Sequence, residues 1–292
     1  MIDFSACKRN RFKTYGGANG SKICIIYNDT NYMLKFPALK KEKTPTSYNN
    51  SCVSEYLGCH IYQSLGIPAQ DTLLGTYNGK IVVACEDFNQ NGFRLTEFSA
   101  LKNTCIDSSE SGYGTELFTI LNAIQEQDLV STEEMKTRFW DMFIADAFLG
   151  NFDRHNGNWG ILINEEKEEA KLAPVYDCGS CLYPKPNEGQ IEKILNNPAE
   201  IQNRIYVFPT SAIKIQNKKI NYFDFISSLQ DTDCNAALRR IVPNIDMGKI
   251  NQIIEKTPYI SSLQKQFYKT MLAERKTRIL DYSLEKMDDC KI

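Results

Sequence analysis

Residues 148–162 read FLGNFDRHNGNWGIL. An apolar run closes at Gly150, and the next eight positions carry Asn151, Asp153, Arg154, His155, Asn156 and Asn158 before apolar residues resume at Trp159. So many polar side chains between two hydrophobic stretches mark a loop that presents groups instead of packing them. Upstream, Ser131-Thr132-Glu133-Glu134 spells a capping box, which predicts a helix running to about Leu149. Downstream, NWGILI and KLAPVY follow period two around the acidic turn EEKEEA, so the spacing predicts a hairpin over 158–176. Asp177, in APVYDCG, then sits at the end of the second strand, and the hairpin is expected to return it toward Asp153 and Asn158.

Further out, residues 21–36 (SKICIIYNDTNYMLKF) predict a hairpin around the polar turn Asn28-Asp29-Thr30-Asn31, preceded by the glycine-rich approach Tyr15-Gly16-Gly17-Ala18-Asn19-Gly20. A polar loop follows at 41–50. Val53, Leu57, Ile61 and Leu65 recur at i+4, which predicts a helix of about four turns stopped by Gly66 and Pro68. TLLGTY and KIVVAC flank Asn78-Gly79, the strongest short hairpin signal. Residues 1 to about 86 thus read as a small sheet carrying one helix. After Glu86-Asp87-Phe88 the pattern turns helical, through TELFTILNAIQEQ and on to an amphipathic segment passing Phe267, Met271 and Arg275 to Leu280.

Composition narrows the possibilities. The chain has 292 residues, 42% hydrophobic and 24% charged, with 16 glycines and 10 prolines, an ordinary globular make-up long enough for about two packed units. A net charge of -2 and a pI near 5.9 provide no basic field for nucleic acid. No run reaches the ~18 apolar residues of a membrane span, and MIDFSACKRNRFK has charges where a signal peptide needs its apolar stretch. Ten cysteines scattered over a chain of this length read as free thiols, so a cytoplasmic protein is expected, with any delivery to a host cell needing another signal.

Phosphoryl transfer needs one carboxylate to orient an acceptor hydroxyl, and an Asn and a second Asp to hold the metal on the phosphates. Asp153, Asn158 and Asp177 supply that set, with the Asp-x4-Asn and Asp-x-Gly spacings of protein kinases. The same template asks for a Gly-rich turn, a strand lysine and a helical glutamate, and Gly16/Gly17/Gly20, Lys35 and Glu55 occur in that order. Alone, each reads more simply: the glycines as a surface turn, Lys35 as a solvated strand lysine, Glu55 as a solvated helix charge.

Together, GGANGSK, MLKFP, SEYLGCHIYQSLGI, LGNFDRHNGNWGIL and LAPVYDCGS are similar to the successive motifs of the HipA-like kinases. The resemblance implies an α+β, two-lobed protein-kinase-like fold, with a β-rich N-lobe over residues 1–87 and a larger helical C-lobe over 88–292. It also implies ATP and Mg²⁺ as cofactors and a Ser or Thr hydroxyl of a protein as acceptor. Residue by residue, it places Gly16, Gly17, Asn19 and Gly20 over the phosphates, Lys35 on the α- and β-phosphates, and Glu55 beside Lys35. Glu86 to Phe88 becomes the adenine-contacting connection between lobes. Asp153 becomes the catalytic base, His155 a phosphate-side neighbour, and Asn158 with Asp177 the magnesium ligands. Toxins of this family carry a further N-terminal subdomain and work with an antitoxin, whereas this chain starts almost at the Gly-rich turn; the resemblance does not carry antitoxin docking over. Nor does it carry over self-silencing through a phosphorylated serine in that turn, because Gly16 and Gly17 bear no hydroxyl.

Other readings stand beside this one. A small-molecule or lipid-headgroup kinase would share the lobes and metal site, and a nucleotide-binding pseudokinase would share the fold. Cys178-Gly-Ser-Cys181 fits a redox dithiol or half a zinc site, although two histidines and no second close cysteine pair make a tetrahedral site hard to complete. His60 falls on the apolar helix face beside Leu57 and Ile61 and reads as a packed histidine, while His155 also fits a loop-bracing role. Lys40, Lys41 and Lys43 read as a solvated basic loop.

Overall fold

The computed structural model describes residues 1–16, 21–37, 50–105 and 112–289. Gly17, Asn19 and Gly20, and the lysines at 40, 41 and 43, lie outside the described residues.

Strands β1 (Ile2–Asp3), β2 (Lys8–Arg9), β3 (Lys22–Tyr27), β4 (Thr30–Lys35), β5 (Thr72–Tyr77) and β6 (Lys80–Glu86) form one mixed sheet in the order β1-β5-β6-β4-β3-β2, with helix α1 (Ser51–Ser64) beside it. Both anticipated hairpins form around two-residue turns. Asn28 and Asp29 have φ of 47° and 61°, and Asn78 and Gly79 have 49° and 75°. Positive φ at both positions matches the twist of the flanking strands. The first turn is tighter than the four residues expected, because Thr30 and Asn31 already belong to β4.

KIVVAC is a continuous apolar run because β6 is covered on both faces. Val82 and Ala84 pack with Phe4, Ile25 and Leu34, whereas Val83 and Cys85 join the cluster that holds Val53, Leu57 and Ile61 of α1. In the antiparallel register of β4 and β6, Lys35 lies opposite Val83 and Leu34 opposite Ala84. Directly paired residues share a face. Lys35 is therefore aimed toward α1.

The rest of the chain is mostly helical, with α2 (Phe98–Cys105), α3 (Leu117–Glu126), α4 (Thr132–Leu149), α5 (Glu188–Leu195), α6 (Pro198–Tyr206), α7 (Tyr222–Ser228), α8 (Thr232–Ile241), α9 (Met247–Lys256), α10 (Ser262–Arg275) and α11 (Tyr282–Asp289). Helix α4 is the central rod, with every residue from Met142 to Leu149 buried. Ser131 Oγ caps it by accepting from Glu134 N at 3.4 Å. Two-way capping boxes are instead found at Asn187/Gln190 and Ser261/Gln264. A short sheet interrupts the helices: β7 (Arg94–Glu97), β8 (Gly160–Asn164) and β9 (Glu169–Leu172), in that order. A two-stranded hairpin, β10 (Lys214–Ile215) and β11 (Lys218–Lys219), precedes α7.

Several expectations are corrected. The hairpin over 158–176 forms, but its second strand ends at Leu172, so Asp177 does not terminate it. Pro174 has no N–H to continue a ladder. The chain instead crosses to the connection before β5: Gln70 N donates to Val175 O and Val175 N to Pro68 O, both at 2.8 Å. Strand β7 was hidden in the polar sequence RLTE, and β10–β11 in KIQNKK. The C-terminal segment is not one helix, since a π-helical stretch at Lys276–Asp281 separates α10 from α11. Arg275, on its expected amphipathic course, is fully buried and donates to Ala147 O and Arg204 O.

Candidate active site

Helix α4 ends at Gly150, whose φ of 65° is the left-handed cap that turns the chain into the 151–158 loop. The loop is braced from beneath by an ion pair. Arg154 Nε donates to Asp146 Oδ2 at 3.0 Å, with the two side chains 5% and 1% exposed. Asp146 Oδ1 also accepts from Tyr62 OH of α1 at 2.6 Å and from Asn151 Nδ2 at 2.8 Å. Arg154 Nη1 donates to Asn158 O at 2.7 Å and to Tyr176 O, and Nη2 reaches Cys178 Sγ at 3.5 Å. One guanidinium thus ties the loop to the segment that carries Asp177. Gly58 allows α1 to approach that segment, since a Cβ there would lie 2.6 Å from Cys178 Cβ.

Lys35, Glu55 and Asp177 meet above this base. Lys35 Nζ lies 3.1 Å from Glu55 Oε1 and 3.0 Å from Asp177 Oδ1. Burial works against the charge on Lys35, but Asp177 and Glu55 outweigh it and hold its pKa well above the ordinary lysine value. Burial pushes Glu55 up to about 7 against the pull of Lys35. Lys35 holds Asp177 below the usual carboxylate range. Asp177 itself adopts φ 57°, a left-handed conformation that Asp tolerates better than most residues.

Asp153 is half-buried, and burial raises its pKa against the opposing charges of His155 and Lys219. Its backbone carbonyl accepts from Asn158 Nδ2 at 2.7 Å, which orients the Asn158 amide and leaves Oδ1 to accept elsewhere. His155 turns back onto its own loop, with Nδ1 accepting from Gly157 N at 3.0 Å. Gly16 O accepts from Lys22 Nζ at 2.8 Å. In the connecting stretch, Glu86 N donates to Asp71 O and Asp87 N to Asn31 O. The Asp87 carboxylate accepts from Lys13 Nζ at 2.8 Å and Tyr15 OH at 2.5 Å, and Phe88 meets Tyr176 edge-on.

Of the expected phosphate and metal residues, Lys35 meets Glu55 and Asp177 directly, while Asp153 and Asn158 are joined to each other on the 151–158 loop. The Asp146–Arg154 brace was not anticipated, although the sequence signals it: FIADAFL places a lone carboxylate in a helix buried all round, and a buried charge demands a partner. His60 lies over Tyr56, its Nδ1 2.9 Å from Tyr56 O. Cys178 and Cys181 are fully buried, and hydrogen bonds from Cys181 and Cys59, aided by Arg154, hold the Cys178 thiol well below its ordinary value. Among the described residues no group of three or more His, Cys, Asp or Glu side chains is placed to hold a metal, and no helix is long and apolar enough to cross a membrane. Two hard oxygen donors, Asn158 Oδ1 and the Asp177 carboxylate, still suit a magnesium ion that takes its other ligands from phosphates and water.

A sheet lysine paired to a helical glutamate, set against a loop with Asp and Asn and a further Asp, defines the protein-kinase-like class of fold. The family model for the HipA-like C-terminal domain matches residues 14–257. The chain is 50% identical over 281 residues to the serine/threonine-protein kinase CtkA of Helicobacter pylori strain J99, covering 96% of this chain and 86% of that protein. The crystal structure of the Helicobacter pylori proinflammatory kinase CtkA superposes with a TM-score of 0.95 at 48% identity, covering 100% of this chain and 99% of that one. HipA of Shewanella oneidensis, solved with HipB and operator DNA, shares the fold with a TM-score of 0.56 at 15% identity, over 94% of this chain and 68% of its own. This chain belongs to the HipA-like family.

Proposed function

We propose that this chain, a serine/threonine-protein kinase of HipA-like type, binds Mg-ATP between residues 1–87 and 88–292 and transfers the γ-phosphoryl to a protein hydroxyl. One observation carries the residue assignments: Lys35 Nζ lies within 3.1 Å of both Glu55 and Asp177, side chains from a strand, a helix and a loop far apart in sequence. Lys35 is the α/β-phosphate ligand, and Glu55 holds it in place. Asn158 and Asp177 would hold magnesium, which would supply positive charge to offset the negative charge gathering on the phosphates. Asp153 accepts the proton of the acceptor hydroxyl as its oxygen bonds the γ-phosphorus and the bridging oxygen departs with ADP. The upward push of burial on Asp153 suits a base that must take a proton at neutral pH. His155 braces the loop, and Glu86 to Phe88 lines the adenine end. The experiment is radiolabel transfer from ATP to a generic protein substrate by wild type and Asp153→Asn, alongside calorimetric titration of Mg-ATP. Transfer lost with nucleotide affinity kept is the expected result. Transfer by the variant within tenfold of wild type would remove Asp153 from the role.

A further inference from the structure

In front of Asp153 the chain leaves α6 through Val207, Phe208 and Pro209, makes the β10–β11 hairpin, and returns to the catalytic loop at Tyr222, whose hydroxyl donates to Asn151 O at 2.7 Å. The hairpin is firmly anchored. Lys214 N donates to Thr115 O and Thr115 Oγ1 to Ala212 O, both at 2.8 Å, and Glu116 Oε1 accepts from Asn217 N at 2.7 Å.

Its register sets Lys214 directly opposite Lys219. Side chains paired in this way share a face about 4.5–5.5 Å apart, and like charges there destabilise the pair. Among the described residues neither lysine has a carboxylate at ion-pair distance; Glu116, which forms an isolated bridge with Lys214, is engaged with the turn amide. Two unneutralised ammonium groups on one anchored face are an arrangement that an incoming anion relieves. The segment borders the reacting centre, because Tyr222 OH holds Asn151 O and Phe208 meets Phe152, the residue before Asp153, and the charge of Lys219 is felt there. Beside it lies an apolar ledge. The Phe152 and Phe208 rings meet at 5.7 Å, with Phe208 46% and Val207 61% exposed.

We infer that Lys214 and Lys219 form an anion subsite for the protein substrate, receiving a carboxylate side chain close to the acceptor Ser or Thr, with Phe208 and Val207 taking a neighbouring apolar residue. This rests on the kinase reading in which Asp153 meets the acceptor. Lysine ammoniums are point charges without the fixed fork of arginine, so the subsite selects charge more than geometry. It favours acidic segments and weakens with salt.

The test separates binding from chemistry. Fluorescent peptides with alanine in place of the acceptor, flanked by Glu and Leu, by Gln and Leu, or by Lys and Leu, are titrated against the full chain by anisotropy. Wild type is expected to bind the acidic peptide about tenfold more tightly than the neutral one, two exposed ion pairs being worth about that much. The double variant Lys214→Gln/Lys219→Gln should erase the preference, and Lys214→Glu/Lys219→Glu should turn it toward the Lys peptide. Absence of acidic preference in wild type, or its survival in the Gln variant, overturns the subsite. Radiolabel transfer to serine-containing versions reads the kinase assignment separately: an intact binding preference without transfer supports the subsite and counts against Asp153 as base.

Discussion

Arg154 and Lys35 each bridge two parts of the chain through carboxylates, but their surroundings differ. Arg154 is 5% exposed, and its Nε, Nη1 and Nη2 are all directed to protein acceptors: the Asp146 carboxylate, the carbonyls of Asn158 and Tyr176, and Cys178 Sγ. Lys35 has two carboxylates around one ammonium, one of them pushed up to about 7, and the other, Asp177, keeps 45% of its side chain exposed. The first cluster is complete within the protein and serves to hold a shape. The second carries surplus negative charge beside an opening, which is what a cationic guest with phosphates would neutralise. A satisfied ion network and an incomplete one, joined where Arg154 reaches Tyr176 and Cys178 on either side of Asp177, divide stability from function.

The largest effect falls between the clusters. Asp153→Asn should lower phosphoryl transfer by about 10²–10⁴-fold while leaving ATP affinity nearly unchanged, as radiolabel transfer and calorimetry will show. The contrast itself is tested by a pair of variants with opposite signatures. Arg154→Met leaves Asp146 as an uncompensated buried carboxylate and should cost about 3–5 kcal/mol in denaturant unfolding. Asp177→Asn, which keeps a residue suited to φ 57°, should change stability by less than about 1 kcal/mol, since its pair with Lys35 is half open to water, yet greatly weaken magnesium-dependent nucleotide binding. If both variants lose stability equally, the division fails.

Lys35→Ala comes next, with weaker Mg-ATP binding and a slower rate, the loss of a charged hydrogen bond being worth about 1.5–3 kcal/mol. The smallest effect concerns pH. Burial raises Glu55 from the ordinary glutamate value to about 7, so between the two the folded protein holds a proton that the unfolded chain has released, and this group's contribution to stability declines as pH rises through that window. Activity should run the other way, because only ionised Glu55 anchors Lys35, so kcat/KM for ATP should fall as pH drops below about 7. A Glu55→Gln series showing the same inflection near 7 would assign it to another group.

The sequence made the sheet legible because its turns are chemically explicit: Asn28-Asp29 and Asn78-Gly79 accept positive φ where few residues do. The 151–158 loop was legible because polar side chains crowd between apolar runs. Lys35 and Glu55 could be named only by resemblance, since their meeting depends on the β4–β6 register and on where α1 packs, neither of which a linear spacing encodes. Strand β7 and the β10–β11 hairpin escaped because short polar strands are held by neighbours instead of by their own periodicity. Asp177 does not end the second strand of the hairpin as its spacing suggests, because Pro174 ends the ladder early and sends the chain across to Pro68 and Gln70.

That crossing has a mechanical consequence. Residues 86–89 join the two parts of the molecule covalently, and the paired backbone at Val175 joins them a second time. A body hung from one strap can swivel in any direction, and each further attachment removes some of that freedom. Helix α1 adds a further attachment, with Tyr62 OH on Asp146 Oδ1 and Gly58 against Cys178, so Glu55 and Asp177 are set in one frame and Lys35 meets both without a separate device to steer it.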